Sequence, residues 1–452
     1  MISVELIRER VAAAGIVGAG GAGFPTSVKL AASADIYLVN CAECEPMLKV
    51  DQQLAARDAA TLLRGLRYGM IATGAKEGII ALKAKYHEAI AALTPLLPED
   101  VRLHVLEDIY PAGDEVITIW LATGRRVPPA ALPLDVGVVV NNVQTLINVA
   151  MAVDEELPVT QRTLTVNGMV QRPVTVTVPL GTPLREVLAL AGGTTRDEVA
   201  FIDGGPMMGK LLASLDNPVT KTTGGLLVLP RDHLLIRRRT RSDDAHMRVA
   251  RTVCEQCGLC TELCPRHLIG HELPPHLIVR AVNYRHAGPT PDTVLAALTC
   301  SECGVCEAYA CPVDISPLHL NRMLKQELRA KGLRYQGELR EVDPMARQRL
   351  VPVSRLITRL GLDPFNHKAP FEQTQYLPQE VKLLLRQHIG AAAIPCITVG
   401  ERVGKGQLIA TVPENKLGAQ LHASVEGIIA ALDDTAITIK RMDNRCSTMP
   451  LP

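Results

Sequence analysis

The stretch ELIRERVAAAGI sets apolar residues against charged ones at helical spacing and predicts an amphipathic helix. The glycine-rich GIVGAGGAGF follows, and PTSVKL after it reads as a helix start with Pro25 in the first turn. In DIYLVNCAECEP the run Ile36 to Val39 predicts a short buried strand that ends in a polar loop from Asn40 to Pro46. DVGVVVNNVQTLINVAMAV repeats that design: a strand ends in Asn141-Asn142 and enters a helix. Polar loops at the carboxyl ends of parallel strands are where an α/β sheet takes its ligands.

Further on the period changes. LPVTQRTLTVNGMVQRPVTVTVPLGTPLREVLALAGG alternates as strands around Asn167-Gly168, a hairpin signal, and a helix from Pro183 to Leu190 closes at Gly192. FIDGGPMMGKLL extends this module. HLIGHELPPHLIVRAVNYRHAGPTPDTVLAAL has helical spacing on both sides of a Pro/Gly-rich break, and ISPLHLNRMLKQELRAKG is a capped amphipathic helix with Gly332 past its end. The tail IPCITVGERVGKGQLIATVPENKLGAQLHASVEGIIAAL reads as two short β halves with Gly404, Gly406 and Gly427 at turns. Residues 336–387, rich in Arg and Pro, read as a connecting segment.

A chain of 452 residues is too long for one ordinary core, so several domains are expected. Its 48 basic and 47 acidic side chains nearly cancel, which argues against a nucleic-acid binder. The run Arg237-Arg238-Arg239-Thr240-Arg241 reads as a solvated linker, with contact to an acidic partner as the alternative. Arg8 and Arg10 before an uncharged run imitate a signal peptide, but Glu5 and Glu9 spoil the cationic region and the run is Gly and Ala rather than Leu. No apolar run approaches the roughly 18–20 residues that span a bilayer. The expectation is a soluble, cytoplasmic chain with no membrane span.

In a reducing compartment cysteines serve metal or redox chemistry rather than disulfides. Eight of the twelve lie in two tight runs. CEQCGLCTELCP supplies Cys254, Cys257, Cys260 and Cys264 before Pro265; CSECGVCEAYACP supplies Cys300, Cys303, Cys306 and Cys311 before Pro312. C-x2-C-x2-C-x3-C-P is the ligand run of two-cluster ferredoxins, whose fourth cysteine crosses to the other cluster. By that logic Cys254, Cys257, Cys260 and Cys311 hold one [4Fe–4S] cluster, and Cys300, Cys303, Cys306 and Cys264 hold the second. A pair of zinc knuckles, the alternative, shows two separated C-x2-C pairs per site rather than four cysteines in a row. Four residues, one more than usual, separate Cys306 from Cys311, which leaves the handover of Cys311 open. Two clusters in series pass single electrons, and a flavin commonly converts hydride pairs into them.

The glycine loop contains a literal G-x-G-x-x-G at Gly18, Gly20 and Gly23, with Glu43 about twenty positions on, as an NAD-binding Rossmann unit would have. Context rejects that reading: a helix rather than a strand precedes the loop, and Pro25 follows it. Such glycines let backbone amides approach a phosphate or a flat ring, and Lys29 adds charge one turn later. Cys41 and Cys44 form an isolated C-x2-C with no flanking ligand, so they read as loop residues without metal, a redox pair being the alternative. Cys396 and Cys446 are lone and read as inert.

GAGGAGFPTSVKL, NCAECEP, YPAGDE and NNVQT together resemble the flavin-binding domain of the complex I NADH-oxidising subunit. They are more similar to the C subunit of the Rnf electron-transfer complex and, with the domain order, to the cobalamin reductases of propanediol-utilisation microcompartments. The resemblance covers essentially the whole chain. It implies a multidomain α/β fold: a Rossmann-like α/β FMN-binding domain at 1–155, a β-grasp (SLBB-type) domain at 156–235, a helical two-cluster ferredoxin domain at 245–335, the connecting segment, and a C-terminal barrel-sandwich β module at 388–441. Lys416 lands near the position that carries the prosthetic group in biotinyl and lipoyl modules, but Asn415 and Leu417 flank it and no modification is expected.

By position, the resemblance implies that Gly18, Gly20, Gly21 and Gly23 line FMN, with Lys29 and Asn40 at its ribityl-phosphate and Glu43 close by. Gly113, Asn141, Asn142 and Thr145 complete that site, while Glu45 and Glu115, with Phe24 as a stacking face, match positions that meet the nicotinamide nucleotide. This chain departs from the family at Ala19 (an Arg there), Ala42 (an acid) and Leu30 (an aromatic), departures that touch NADH more than FMN. The implied activity is NADH-dependent reduction of corrinoid cobalt through FMN and two [4Fe–4S] clusters. The implied partners are NADH, a corrinoid or a corrinoid adenosyltransferase, and a microcompartment shell protein, inside a bacterial microcompartment. Two other readings stay open: an Rnf-like subunit exchanging electrons between NADH and ferredoxin, and a non-catalytic relay bound to a shell protein.

Overall fold

The computed structural model describes residues 2–283, 292–373 and 375–442. Helix α1 (Val4–Ala13) forms where the helical pattern predicts it; Ser3 caps it by accepting from the Leu6 amide, and Ile7 and Val11 are buried. After the glycine loop comes a short α2 (Thr26–Leu30), with Pro25 just ahead of it. The chain then builds a parallel sheet from β1 (Ile36–Cys41), β2 (Glu77–Lys83), β3 (Val101–Leu106) and β5 (Val138–Asn142), in the order β3-β2-β1-β5. Strand β1 runs two residues beyond the expected Val39, so Asn40 lies on the sheet directly opposite Asn142.

Helices cover both faces of this sheet, as near-continuous apolar parallel strands require. Against Tyr37, Val39 and Val139 pack α1, α3 (Val50–Arg57), α4 (Ala59–Thr73), α5 (His87–Leu93) and α7 (Val143–Glu155). Against Leu38, Ile79 and Val140 packs α6 (Glu115–Thr123). A Cβ on Gly65 of α4 would lie 1.9 Å from the Leu146 carbonyl oxygen, so only glycine lets α4 and α7 approach this closely. A two-residue strand, β4 (Ile109–Tyr110), leads into α6.

The next domain is a six-stranded sheet that includes β6 (Gln161–Gly168), β7 (Val174–Pro179), β8 (Val199–Asp203), β9 (Lys210–Leu211) and β10 (Gly225–Pro230), with α8 (Leu184–Leu190) against it. The β6–β7 hairpin forms, but Asn167-Gly168 is not its turn: β6 runs through both residues and the chain reverses over 169–173. Asn167 instead donates its amide to the Met47 and His367 carbonyls, tying the hairpin to two other segments.

The basic run is not a solvated linker. It closes α9 (Leu234–Thr240), where Arg239 bonds the Pro206 and Gly209 carbonyls while Arg238 and Arg241 pair with Asp314. After α9, α10 (Asp243–Val253) opens a helical domain completed by helices Pro275–Asn283 and Pro317–Ala330, the latter capped by Ser316. The break between the two helical patterns, 284–291, lies outside the described residues.

The stretch 336–387 does more than connect. Val351–Pro352 pairs with β4, Phe371–Glu372 adds a parallel edge to β7, and Glu380–Leu384 enters the C-terminal sheet against Ala436–Lys440. The barrel-sandwich module thus takes a strand from ahead of residue 388. Its second sheet is Ile394–Pro395, Leu408–Thr411 and Leu421–His422, and Lys416 is exposed on a turn. Among the described residues no helix is long and apolar enough to cross a membrane.

Candidate functional site

The two cysteine runs fold alike. Gln256 and Gly258 in the first take φ +54° and +80°, and Glu302 and Gly304, at the same offsets in the second, take +61° and +80°. Left-handed residues at two fixed places coil each loop so that its three thiols converge. Cys254, Cys257, Cys260 and Cys311 line one cavity, together with Gly258, His276, Pro312 and Val313. Burial, then the nearby Cys311, Cys257 and Cys254, push the Cys260 thiol up to about 12. The other four gather separately: burial and then Cys264 raise the Cys303 thiol, and Cys306 is raised by burial and by Cys300, Cys303 and Cys264. The fourth cysteine of each run thus crosses to the other set.

The extra residue before Cys311 does not disturb this crossing. Cys306–Ala310 forms a π turn in which the Cys311 amide donates to the Cys306 carbonyl at 3.1 Å, five residues back. A π turn is the way a helix absorbs one inserted residue. In the first run, by contrast, the Cys264 amide donates to the Thr261 carbonyl at 3.0 Å, a shorter reach.

The sulfurs also meet donors. The Ile315 amide lies 3.4 Å from Cys311 Sγ, the Glu302 amide 3.4 Å from Cys300 Sγ, and Gln256 Nε2 3.1 Å from Cys254 Sγ. Donors aimed at sulfur favour thiolate over thiol, while burial favours the thiol; a bound cation resolves that opposition and releases the protons. The donor sets fit two four-thiolate iron–sulfur sites.

The glycine loop closes on itself: Gly18 N donates to Phe24 O at 2.9 Å and Gly23 N to Gly18 O at 3.2 Å. Its tip, Gly20 to Ala22, is exposed, and the amides of these three residues meet no acceptor among the described residues. The Thr145 hydroxyl, on the first turn of α7, accepts from Ala19 N at 2.9 Å and anchors the loop. Beside the tip stand the ends of β1 and β5. Asn40 donates to the Gly113 carbonyl at 2.8 Å, and Asn142 caps α7 through the Gln144 amide and donates to both carboxylate oxygens of Asp51. Lys29 Nζ donates to Val140 O at 2.8 Å and pairs with Glu115 at 3.2 Å. Glu43 accepts from the Asp51 amide, and burial raises its carboxyl. Free amides, a lysine and strand-end amide side chains suit a phosphate-bearing cofactor.

Asn141, Gly113 and Glu45 differ in placement from that expectation. Asn141 cannot face the same way as Asn142, because successive strand residues point to opposite faces; it is 3% exposed and donates to the Tyr37 hydroxyl inside the core. At Gly113 a Cβ would lie 2.2 Å from the Ala42 carbonyl oxygen, so its glycine serves the packing of two loops rather than room for a ligand. Glu45 and Glu115, paired in the sequence reading, stand in different surroundings. Glu115 pairs with Lys29 beside the glycine loop, whereas Glu45 is buried, accepts from the Met207 and Met208 amides at 2.8 Å each, and is pushed up to about 7 by burial. Phe24 stays half-buried at the loop's end.

Between the glycine loop and the buried cysteine set runs a bridge that sequence reasoning missed. Tyr110, three residues before Gly113, donates its hydroxyl to the Cys303 carbonyl at 2.6 Å. Asp114 caps α6, and both of its carboxylate oxygens accept from Arg266, two residues after Cys264, at 3.0 Å. Cys44 Sγ accepts from the Gly113 amide at 3.0 Å, and Cys41 lies buried behind it with its thiol against the Asp51 carbonyl. Cys396 is exposed, and Cys446 lies outside the described residues. Arg162 is also buried, donating to the Ala19 and Thr223 carbonyls; its lone charge in the alternating TQRTLTV was the available signal.

Comparison with known proteins adds names to these regions. The Nuo51 FMN-binding domain model matches residues 11–151, the SLBB domain 163–211, the 4Fe-4S dicluster domain 253–316 and the RnfC barrel sandwich hybrid domain 359–448. Among the most similar relatives, cobalamin reductase PduS of Salmonella typhimurium is 64% identical over 97% of this chain and 97% of its own. The cobalamin reductase PduS of Citrobacter freundii is 64% identical over 98% of each chain. The C subunit of the Na(+)-translocating ferredoxin:NAD(+) oxidoreductase complex of Acetobacterium woodii is 38% identical over 59% of each. FMN and two [4Fe–4S] clusters are therefore the cofactors of this chain.

Proposed function

This chain belongs to the cobalamin reductase family, and on that premise we propose that it takes electrons from NADH and delivers them one at a time to corrinoid cobalt, from Co(III) through Co(II) to Co(I), reactivating B12 for a diol dehydratase. It is an oxidoreductase. Bound FMN supplies the conversion of a hydride into two single electrons, and the clusters pass these on. Each NADH then leaves as NAD+ with one proton released, and its two electrons reduce two cobalt centres by one step each.

The residues divide this work. The amides of Gly20, Gly21 and Ala22, with Lys29, hold the phosphate end of FMN; Thr145 fixes the loop through Ala19, and Asn40 and Asn142 line the strand ends beside it. Cys254, Cys257, Cys260 and Cys311 hold one cluster, and Cys264, Cys300, Cys303 and Cys306 the other. The observation that carries the reading is the bridge from Gly113 through Tyr110 to Cys303, which joins the flavin loop to a cysteine set inside one chain. A microcompartment interior, with a corrinoid adenosyltransferase or shell protein as partner, is the setting we propose.

The test is anaerobic purification with flavin, iron and sulfide quantitation, then NADH addition in the presence of cob(II)alamin. Bleaching of the flavin followed by cob(I)alamin formation is expected. A fully loaded protein that leaves cob(II)alamin untouched under NADH contradicts the proposal.

A further inference from the structure

The two cysteine sets differ in what surrounds them. Cys264, Cys303 and Cys306 are buried, and their loop is covered by Tyr110 from the flavin domain and by Met207 from the β-grasp domain. Met207 lies over Gly304 itself, its methyl 3.4 Å from where a Cβ would stand. The Arg266–Asp114 pair, with side chains only 15% and 12% exposed, locks this set to the start of α6. Among the described residues the other set has less cover: Cys311 is buried and its carbonyl accepts from Arg359 at 3.4 Å, but no other domain closes over the loop that carries Cys254, Cys257 and Cys260. Among the described residues its cavity is lined by residues between Cys254 and Pro317, Cys257 is exposed, and Val253 and Leu259, beside the cysteines in the chain, and Val313, on the cavity wall, are 40%, 39% and 37% exposed.

We infer that the sets have fixed and different places in the electron path: Cys264, Cys300, Cys303 and Cys306 form the entry from the flavin, and Cys254, Cys257, Cys260 and Cys311 form the exit at which the corrinoid is met. This order rests on the function proposed above. Electron transfer weakens steeply with distance, so the entry belongs to the set in contact with the loop that carries Gly113. A corrinoid is too bulky to reach a set enclosed by three domains, whereas the apolar collar of Val253, Leu259 and Val313 offers its ring edge a desolvated approach to Cys257. Per NADH, two electrons pass this way singly, two cob(II)alamins become cob(I)alamin, and one proton is released.

Freeze-quench EPR on the loaded full chain tests the order in Cys303→Ser and Cys257→Ser variants. In Cys303→Ser, the signal of the Cys254 set stays oxidised, filling at least tenfold more slowly than in wild type. In Cys257→Ser, the Cys264 set fills at the wild-type rate while cobalt reduction falls at least tenfold. Wild-type filling of the Cys254 set in Cys303→Ser, or undiminished cobalt reduction in Cys257→Ser, overturns the inference. Should a serine variant fail to load iron, Val313→Glu, which leaves all eight cysteines in place, is expected to slow cobalt reduction at least tenfold with both EPR signals at full intensity; unchanged cobalt reduction there also overturns it. Flavin bleaching is recorded in every sample. A chain that NADH does not bleach defeats the donor assignment alone, and photoreduction in place of NADH then reads the order.

Discussion

The loops Cys254–Cys260 and Cys300–Cys306 share one backbone plan, with left-handed residues at the same two offsets, and yet one is exposed and the other enclosed. The difference lies outside the motif. Around the second loop, Tyr110, Met207 and the Asp114–Arg266 pair arrive from two other domains; around the first, the described neighbours of the cavity are its own helices and loops, with Arg359 reaching the Cys311 carbonyl and Arg349 reaching Glu262 from the 336–387 stretch. A ligand motif specifies how thiols converge, and the packing around it specifies what they can exchange electrons with.

The largest way to break this comparison is at the ion pairs. Arg266→Met leaves the nearly buried Asp114 carboxylate without a cation and with only the two α6 amides it caps, a loss of about 3 kcal/mol. At the exposed loop, Arg349 and Glu262 sit 3.6 Å apart with side chains 33% and 50% exposed, so removing Glu262 by Glu262→Gln costs at most about 1 kcal/mol. Thermal unfolding of the two variants should separate them clearly, and equal losses would mean the two loops are equally enclosed.

Next comes pH. Burial raises the Glu45 carboxyl to about 7, above its usual 4.5, so the folded chain holds a proton there that the unfolded chain has lost. Stability from this group is therefore present below pH 4.5 and is lost as pH rises towards 7, by something on the order of 3 kcal/mol, with no further change above. Glu45→Gln, with no proton to lose, should flatten that part of the profile in urea unfolding series between pH 5 and 8. Parallel profiles for the two proteins would show that Glu45 is not the group responsible.

Smaller effects sharpen the comparison further. Gly258→Ala and Gly304→Ala both place a side chain at φ +80°, a strain of about 1–2 kcal/mol in each. At Gly304 the new methyl would meet the Met207 methyl at an ordinary contact distance of 3.4 Å, whereas Gly258 has nothing nearer than Glu262 Oε1 at 4.0 Å. The two should lose similar stability by chemical denaturation, and a much larger loss in Gly304→Ala would mean that the cover over the second loop is tighter than the first loop's surroundings. Tyr110→Phe, last, removes one hydrogen bond to the Cys303 carbonyl and should cost about 1 kcal/mol, with slower electron arrival at the Cys264 set as its second readout.

Much of the site is legible in residue order because its chemistry is local. Three thiols at x2 spacing, glycines before a proline and a strand ending in asparagine each carry their geometry within a dozen residues. Strand parity is legible in the same way: Asn141 and Asn142 are neighbours on a strand, and only one of them can face the glycine loop. The turn of the β6–β7 hairpin misleads because Asn167-Gly168 is a strong turn signal, yet both residues stay on the strand and Asn167 holds two distant carbonyls. Nothing local shows that Arg239 is drawn onto the Pro206 and Gly209 carbonyls, that residues 336–387 lend strands to three sheets, or that Tyr110 reaches Cys303. Those contacts join segments more than a hundred residues apart in the case of Tyr110, and only the folded chain brings them together.

The contrast between the cysteine loops is most directly tested by EPR power saturation of the reduced, loaded protein with a dysprosium chelate in the solvent, the signals being assigned with the Cys257→Ser variant. The account predicts that the chelate relaxes the signal belonging to Cys254, Cys257, Cys260 and Cys311 and leaves the signal of Cys264, Cys300, Cys303 and Cys306 nearly unchanged. Equal relaxation of the two, or stronger relaxation of the second, would contradict it.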